Sequence, residues 1–126
     1  MKVYYAHFMG IYDTPQEERD IATLKALGFD VLNPNTKEVS MDFNRLKAQG
    51  MEYLEAFYKV FFSLVDECEV FAFRSLPDGR IPGGVAMELK HAKEVGKLII
   101  ELPCGIYSRS LGKEETLEYL HEIGQR

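Results

Sequence analysis

The chain predicts a small doubly wound α/β domain, Rossmann-like or flavodoxin-like, with a parallel sheet of four to five strands and helices on both faces. Three observations carry that expectation. Short β-prone apolar runs at 2–8, 29–33, 70–73 and 97–102 alternate with segments of helical period. The strand cores, such as Val70-Phe71-Ala72-Phe73, are unbroken apolar runs rather than period-2 patterns, as expected for strands buried on both sides. The 126 residues, 46% of them hydrophobic, can bury one proper core and leave no room for a second domain.

The first strand, Lys2 to Phe8, ends before Gly10. Thr14-Pro15-Gln16-Glu17 then reads as a helix start. Thr14 can cap the first free N–H groups, Pro15 suits the first helical position and Glu17 closes a capping box. Ile21, Leu24 and Leu27 follow at helical spacing, and Gly28 supplies a left-handed stop. Phe29 to Asn33 is the second strand, broken by Pro34. Residues 37–49 carry no clean period and are predicted helical only in part. Met51, Leu54, Tyr58, Phe61 and Val65 share one helical face, widened by Phe57, Phe62 and Leu64. The third strand, Val70 to Phe73, leads into a Pro- and Gly-rich loop and a helix over 85–95, stopped by Gly96. Lys97 to Leu102 is the fourth strand, and a last helix is predicted over about 112–123.

Composition removes whole classes of function. With 15 basic and 20 acidic residues the net charge is −5, so a nucleic-acid polymer is not an expected partner. No apolar run approaches the ~20 residues of a membrane span, and the Met1-Lys2-Val3-Tyr4-Tyr5 start has no secretory-signal pattern. Cys68 and Cys104 lie in or beside apolar strand-like runs and lack zinc spacing, which fits buried thiols in a reducing, cytoplasmic setting. Nothing in the sequence calls for a metal or an organic cofactor.

In doubly wound sheets, ligands bind beyond the carboxyl ends of the strands, where strand order reverses. The expected site therefore draws on residues 7–13, 33–36, 74–84 and the helix start after 84. From these segments His7, Gly10, Asn33, Arg74, Asp78, Gly83 and Gly84 are candidate substrate contacts. The glycines allow close backbone approach and the helix N–H groups favour an anion. The spacing matches neither the dinucleotide fingerprint nor the P-loop, and on spacing alone a plain surface turn is the better explanation.

Glu88 lies three residues after Val85 and four before Ala92, at the edge of the buried stripe of its helix. A carboxylate desolvated there suits nucleophilic or acid–base work; an acidic residue answering the helix dipole is the alternative. Tyr4 and Tyr5 point to opposite sides of the sheet. His7 either contacts a ligand or satisfies a buried backbone group. Two Glu-x-x-His pairs, Glu88–His91 and Glu118–His121, mimic half of a di-iron set, but a strand separates their helices, so both histidines are expected on polar helix faces.

These residues together resemble the nucleoside 2-deoxyribosyltransferase-like superfamily, over residues 2 to about 102. The pieces that carry the likeness are Val3-Tyr4-Tyr5-Ala6, Phe29 to Pro34, Leu64 to Ala72, Gly84-Val85-Ala86-Met87-Glu88-Leu89-Lys90-His91-Ala92 and Gly96-Lys97-Leu98-Ile99. The resemblance implies that Glu88 attacks the anomeric carbon of a deoxyribosyl group, that Tyr4 lies close to it, and that the Gly83-Gly84 turn receives a 5′-hydroxyl or 5′-phosphate. It also implies a homodimer or larger assembly. The family's Asp before the third strand is replaced here by Val60-Phe61-Phe62, with Asp66 and Asp13 the nearby carboxylates; that departure suits a nucleotide-binding module without turnover. Pro82-Gly83-Gly84 with Glu88 partly resembles ribonucleotide phosphoribohydrolases, which carry Gly-Thr where this chain has Ala86-Met87.

Overall fold

In the computed structural model, the described residues are 1–103 together with the backbone of Gly105–Ile106. Cys104, the expected helix over 112–123 and the Glu118–His121 pair lie outside them.

Elements follow in the order β1 (Lys2–Ala6), a 3₁₀ turn (Met9–Ile11), α1 (Pro15–Ala26), β2 (Asp30–Leu32), α2 (Lys37–Ala48) and α3 (Tyr53–Phe57). From α3 the chain runs through a π-helical turn (Tyr58–Phe62) directly into α4 (Ser63–Asp66), then β3 (Val70–Arg74), α5 (Gly83–Glu94), β4 (Leu98–Leu102) and β5 (Gly105–Ile106). The sheet order is β2-β1-β3-β4-β5. The four strands β2, β1, β3 and β4 are all parallel, and β5 adds to the edge in the antiparallel sense. This is the doubly wound arrangement read from the apolar runs.

Alternation divides the sheet's side chains between two cores. Tyr4, Phe71 and Phe73 pack with Val65 of α4 and with Val85 and Leu89 of α5. Val3, Tyr5, Val70 and Ala72 pack on the other face with Leu24 and Ile21 of α1. Each such fully buried side chain contributes about 1.5–3 kcal/mol of hydrophobic free energy, so the two faces fix the sheet between its helices.

Several element boundaries differ from the sequence reading, each for a local reason. Residues 37–48 are fully helical: Thr36 caps Val39 N–H, and Gly50 takes a positive φ of 93° past the end. α2 buries no residue completely, which is why its period is faint. The long aromatic helix is interrupted by the π turn. α5 starts at Gly83, so both glycines lie inside its first turn rather than in the loop before it. Thr14 caps α1 as expected, but the Glu17 carboxylate accepts from the Asp13 N–H and from His7 instead of closing the box on Thr14. Among the described residues, no helix is long and apolar enough to cross a membrane.

Candidate active site

Strand β1 lies between β2 and β3, so the chain leaves it once in each direction and a crevice opens at its carboxyl end. A cavity of about 670 Å³ occupies that crevice, within the range of about 300–1,000 Å³ typical of small-molecule sites. The loop after β1 forms one side, and Pro34 to Thr36 after β2 another. The first turn of α5 and an aromatic wall from α2 and α3 complete it.

Glu88 and Tyr4 meet in this cavity. The apolar residues Val85, Leu89 and Ala92 turn α5 onto the sheet, and this rotation carries Glu88 inward until 6% of its surface remains accessible. Tyr4 projects from the middle of β1 on the same face, and its hydroxyl donates a hydrogen bond to Glu88 Oε2. Burial pushes the Glu88 carboxyl up to about 8, against the Tyr4 hydrogen bond, which pulls it down. Burial also raises Tyr4 well above its ordinary value, helped by the neighbouring Glu88 charge. Glu88 therefore holds its proton at neutral pH, beside a protonated Tyr4. Above about pH 8 it presents a desolvated carboxylate whose Oε1 has no hydrogen-bond partner among the described residues. That group can act as an acid, a base or a nucleophile.

The structure brings Tyr4, Glu88, His7, Gly10, Gly83 and Gly84 together on the cavity. His7 is committed on both nitrogens: Nδ1 lies 3.1 Å from the Tyr5 carbonyl oxygen and Nε2 lies 2.7 Å from Glu17 Oε2. Its ring stacks on Tyr5 at 3.8 Å, so it shapes the wall. Burial alone would raise Glu17, but the hydrogen bonds from His7, the Asp13 N–H and Asn35 outweigh it and bring that carboxyl below its ordinary value.

Three expected contacts stand elsewhere. Asn33 turns its Oδ1 back to accept from the Asn35 N–H, and Asn35 takes its place on the cavity wall. Arg74 grips Asp20 with Nε at 2.6 Å and a terminal nitrogen at 2.8 Å, on the far face of the sheet, where the Tyr5 hydroxyl also donates to Asp20. Asp78 is exposed and caps its own turn through the Arg80 N–H. Of the two nearby carboxylates, Asp66 engages His91 at 2.7 Å, and Asp13 accepts from Asn35 at 3.0 Å without lining the cavity. His91 is thus not a free surface group: it is half-buried, stacks on Phe62 at 4.2 Å, and turns away from Glu88.

The sequence reading passed over Tyr12, Asn35 and the aromatic wall. Phe43, Phe57 and Phe61 line the cavity, with ring centres 4.8 and 5.6 Å apart for Phe57–Phe61 and Phe43–Phe61. Phe57 and Phe61 stood among the apolar residues of one helical face, a pattern that core packing explains equally well. Tyr12 sits in the strand-end loop that topology singles out, which was its one available signal. No family model, no curated protein and no solved structure matches the chain.

Proposed function

We propose that the protein cleaves or transfers the N-glycosidic bond of a small nucleoside or nucleotide, with Glu88 as nucleophile. One observation carries this reading: a carboxyl, buried and hydrogen-bonded to Tyr4, stands in the crevice at the strand-order reversal, one turn beyond the Gly83-Gly84 start of α5. Breaking a glycosidic bond develops oxocarbenium character at the anomeric carbon, which an adjacent carboxylate stabilises or traps. Phe43, Phe57 and Phe61 offer flat apolar surface for a heterocyclic base. The open N–H groups at the start of α5 offer donors to a 5′-hydroxyl or 5′-phosphate. The likeness to nucleoside 2-deoxyribosyltransferase-like proteins leads to the same assignment of Glu88 and Tyr4. In this reading the protein works on a small molecule in the cytoplasm, with no cofactor, as a homodimer or larger assembly.

The test is to incubate the purified protein with deoxynucleosides, ribonucleosides and their 5′-monophosphates and to measure free base. Release that disappears in Glu88→Ala, by roughly 10³-fold or more, is the expected result. Release equal in Glu88→Ala and the parent overturns the reading. A second reading, a binding module without turnover, is favoured by one fact: a carboxyl lifted to about 8 is mostly neutral at pH 7. Calorimetry at pH 7 and 9 beside the turnover assay separates the two, because the module binds at both values and releases no base at either.

A further inference from the structure

Three tyrosine hydroxyls lie around the end of β1, and two are committed to carboxylates. Tyr4 donates to Glu88 and Tyr5 donates to Asp20. Tyr12 lines the same cavity as Glu88, yet its hydroxyl has no hydrogen-bond partner among the described residues.

The loop nevertheless holds Tyr12 firmly. Its N–H donates to the Met9 carbonyl at 3.1 Å, and the Thr14 hydroxyl donates to the Ile11 carbonyl. Asp13, next in the chain, takes a positive φ of 61°, a left-handed conformation unfavourable for a residue with a side chain and found where surrounding structure imposes it. Here Glu17 accepts from the Asp13 N–H at 3.1 Å and Asn35 donates to its carboxylate at 3.0 Å. The Tyr12 ring rests against the His7 ring at 4.7 Å, and His7 is itself pinned by Glu17. These contacts fix a phenol that has no hydrogen-bond partner within the described protein. Its natural partner is a ligand in the cavity.

We propose that Tyr12 is a second catalytic residue, the proton donor to the departing base. This inference rests on the glycosidic reading of Glu88. As Glu88 Oε1 bonds to the anomeric carbon, the carbon–nitrogen bond breaks and its electron pair moves to the base nitrogen. That nitrogen takes the Tyr12 proton; when water then attacks the anomeric carbon and releases the Glu88 carboxylate, the phenolate takes the proton that this water loses. Burial, then the negative charge of Glu88, holds Tyr12 above its ordinary range, so the hydroxyl arrives protonated. When Glu88 becomes an ester its charge is gone, and the phenol becomes a better acid as the base leaves.

Tyr12→Phe tests this cleanly, since the lost hydroxyl has no partner whose removal would disturb the fold. Turnover is compared on two substrates with the same sugar: one with a purine or pyrimidine base that leaves with a proton, one with a pyridinium base that leaves neutral. The expected result is a loss in kcat of about 10²-fold or more on the first substrate. The loss on the pyridinium compound should be at least tenfold smaller, with the melting temperature unchanged. Equal losses on both, or none on either, overturn the role of Tyr12 while leaving Glu88 as nucleophile. Absence of base release from the parent protein with every substrate overturns the glycosidic reading itself, and this inference with it.

Discussion

In the proposed reaction, Glu88 and Tyr4 would set the pH at which the site acts. A nucleophilic carboxylate must be ionised, and burial holds Glu88 at about 8. The expected kcat/KM therefore rises with pH and levels off above about 8, measured as base release from pH 5.5 to 10. The Tyr4 hydrogen bond pulls the Glu88 carboxyl down, so Tyr4→Phe should move that inflection to higher pH. A hydrogen bond to a charged group is worth about 1.5–3 kcal/mol, and one pKa unit is about 1.4 kcal/mol, so the move is roughly one to two units. An inflection at or below the parent value would show that the phenol does not hold the carboxylate. The inward position of Glu88 was legible beforehand because helical period alone puts a residue three after Val85 and four before Ala92 at the stripe edge. The destination of Arg74 was not legible. Its partner Asp20 lies 54 positions away in the chain, and no local pattern relates the two. Asn33 failed by two residues because its side chain closes a turn that only the folded backbone displays.

The first turn of α5 trades helix stability for room. Glycine within a helix costs about 0.5–1 kcal/mol relative to alanine, and a Cβ at Gly84 would meet only the Phe57 ring, at an ordinary 3.6 Å. Gly84 nevertheless lines the cavity, where any added carbon takes ligand space. Gly84→Ala is therefore expected to raise the unfolding free energy by about 0.5–1 kcal/mol and to raise KM severalfold with little change in kcat. Denaturant titration and steady-state kinetics check the two halves, and unchanged KM would mean that no ligand approaches this backbone. At this scale the strands and α1 could be read directly, because continuous apolar runs and a Thr-Pro start are local signals. The π turn could not. An extra residue per turn leaves no mark in composition, yet the turn interrupts the helix between Phe57 and Phe61 while both rings still line the cavity. α2 was obscure because its inward residues, Val39, Phe43 and Leu46, form too thin a stripe against a polar background.

Taken as a whole, the folded chain keeps a proton on Glu88 over a range where the unfolded chain has lost it, from about 4.5 to about 8. The stability this contributes is fully present below about 4.5 and is lost as pH rises through 8. Urea unfolding at pH 5 and pH 9 should show a decline of roughly 2–4 kcal/mol that Glu88→Gln removes; an equal decline in both proteins would place its source elsewhere. Met41, Tyr53 and Tyr58 expose 60%, 57% and 44% of their surface on α2, α3 and the π turn, and aromatic residues and Met are enriched where protein surfaces meet. Light scattering at micromolar concentration should therefore give at least twice the 14.4 kDa chain mass; a monomer mass refutes the assembly. The two sides of the crevice are also fastened unequally. The β1 side is tied by His7, Glu17, Asp13 and Asn35, and the far face by Tyr5, Asp20 and Arg74. α2 buries no residue completely and holds its share of the aromatic wall, Phe43, by contacts with Tyr53 and Phe61. Local opening free energies follow buried contact, so α2 is the part of the wall that yields first. Amide exchange over 37–48 should be faster than in α1 or α5, and it should slow on ligand binding. Ligand exchange at the buried carboxyl is then expected to track the opening of that one helix.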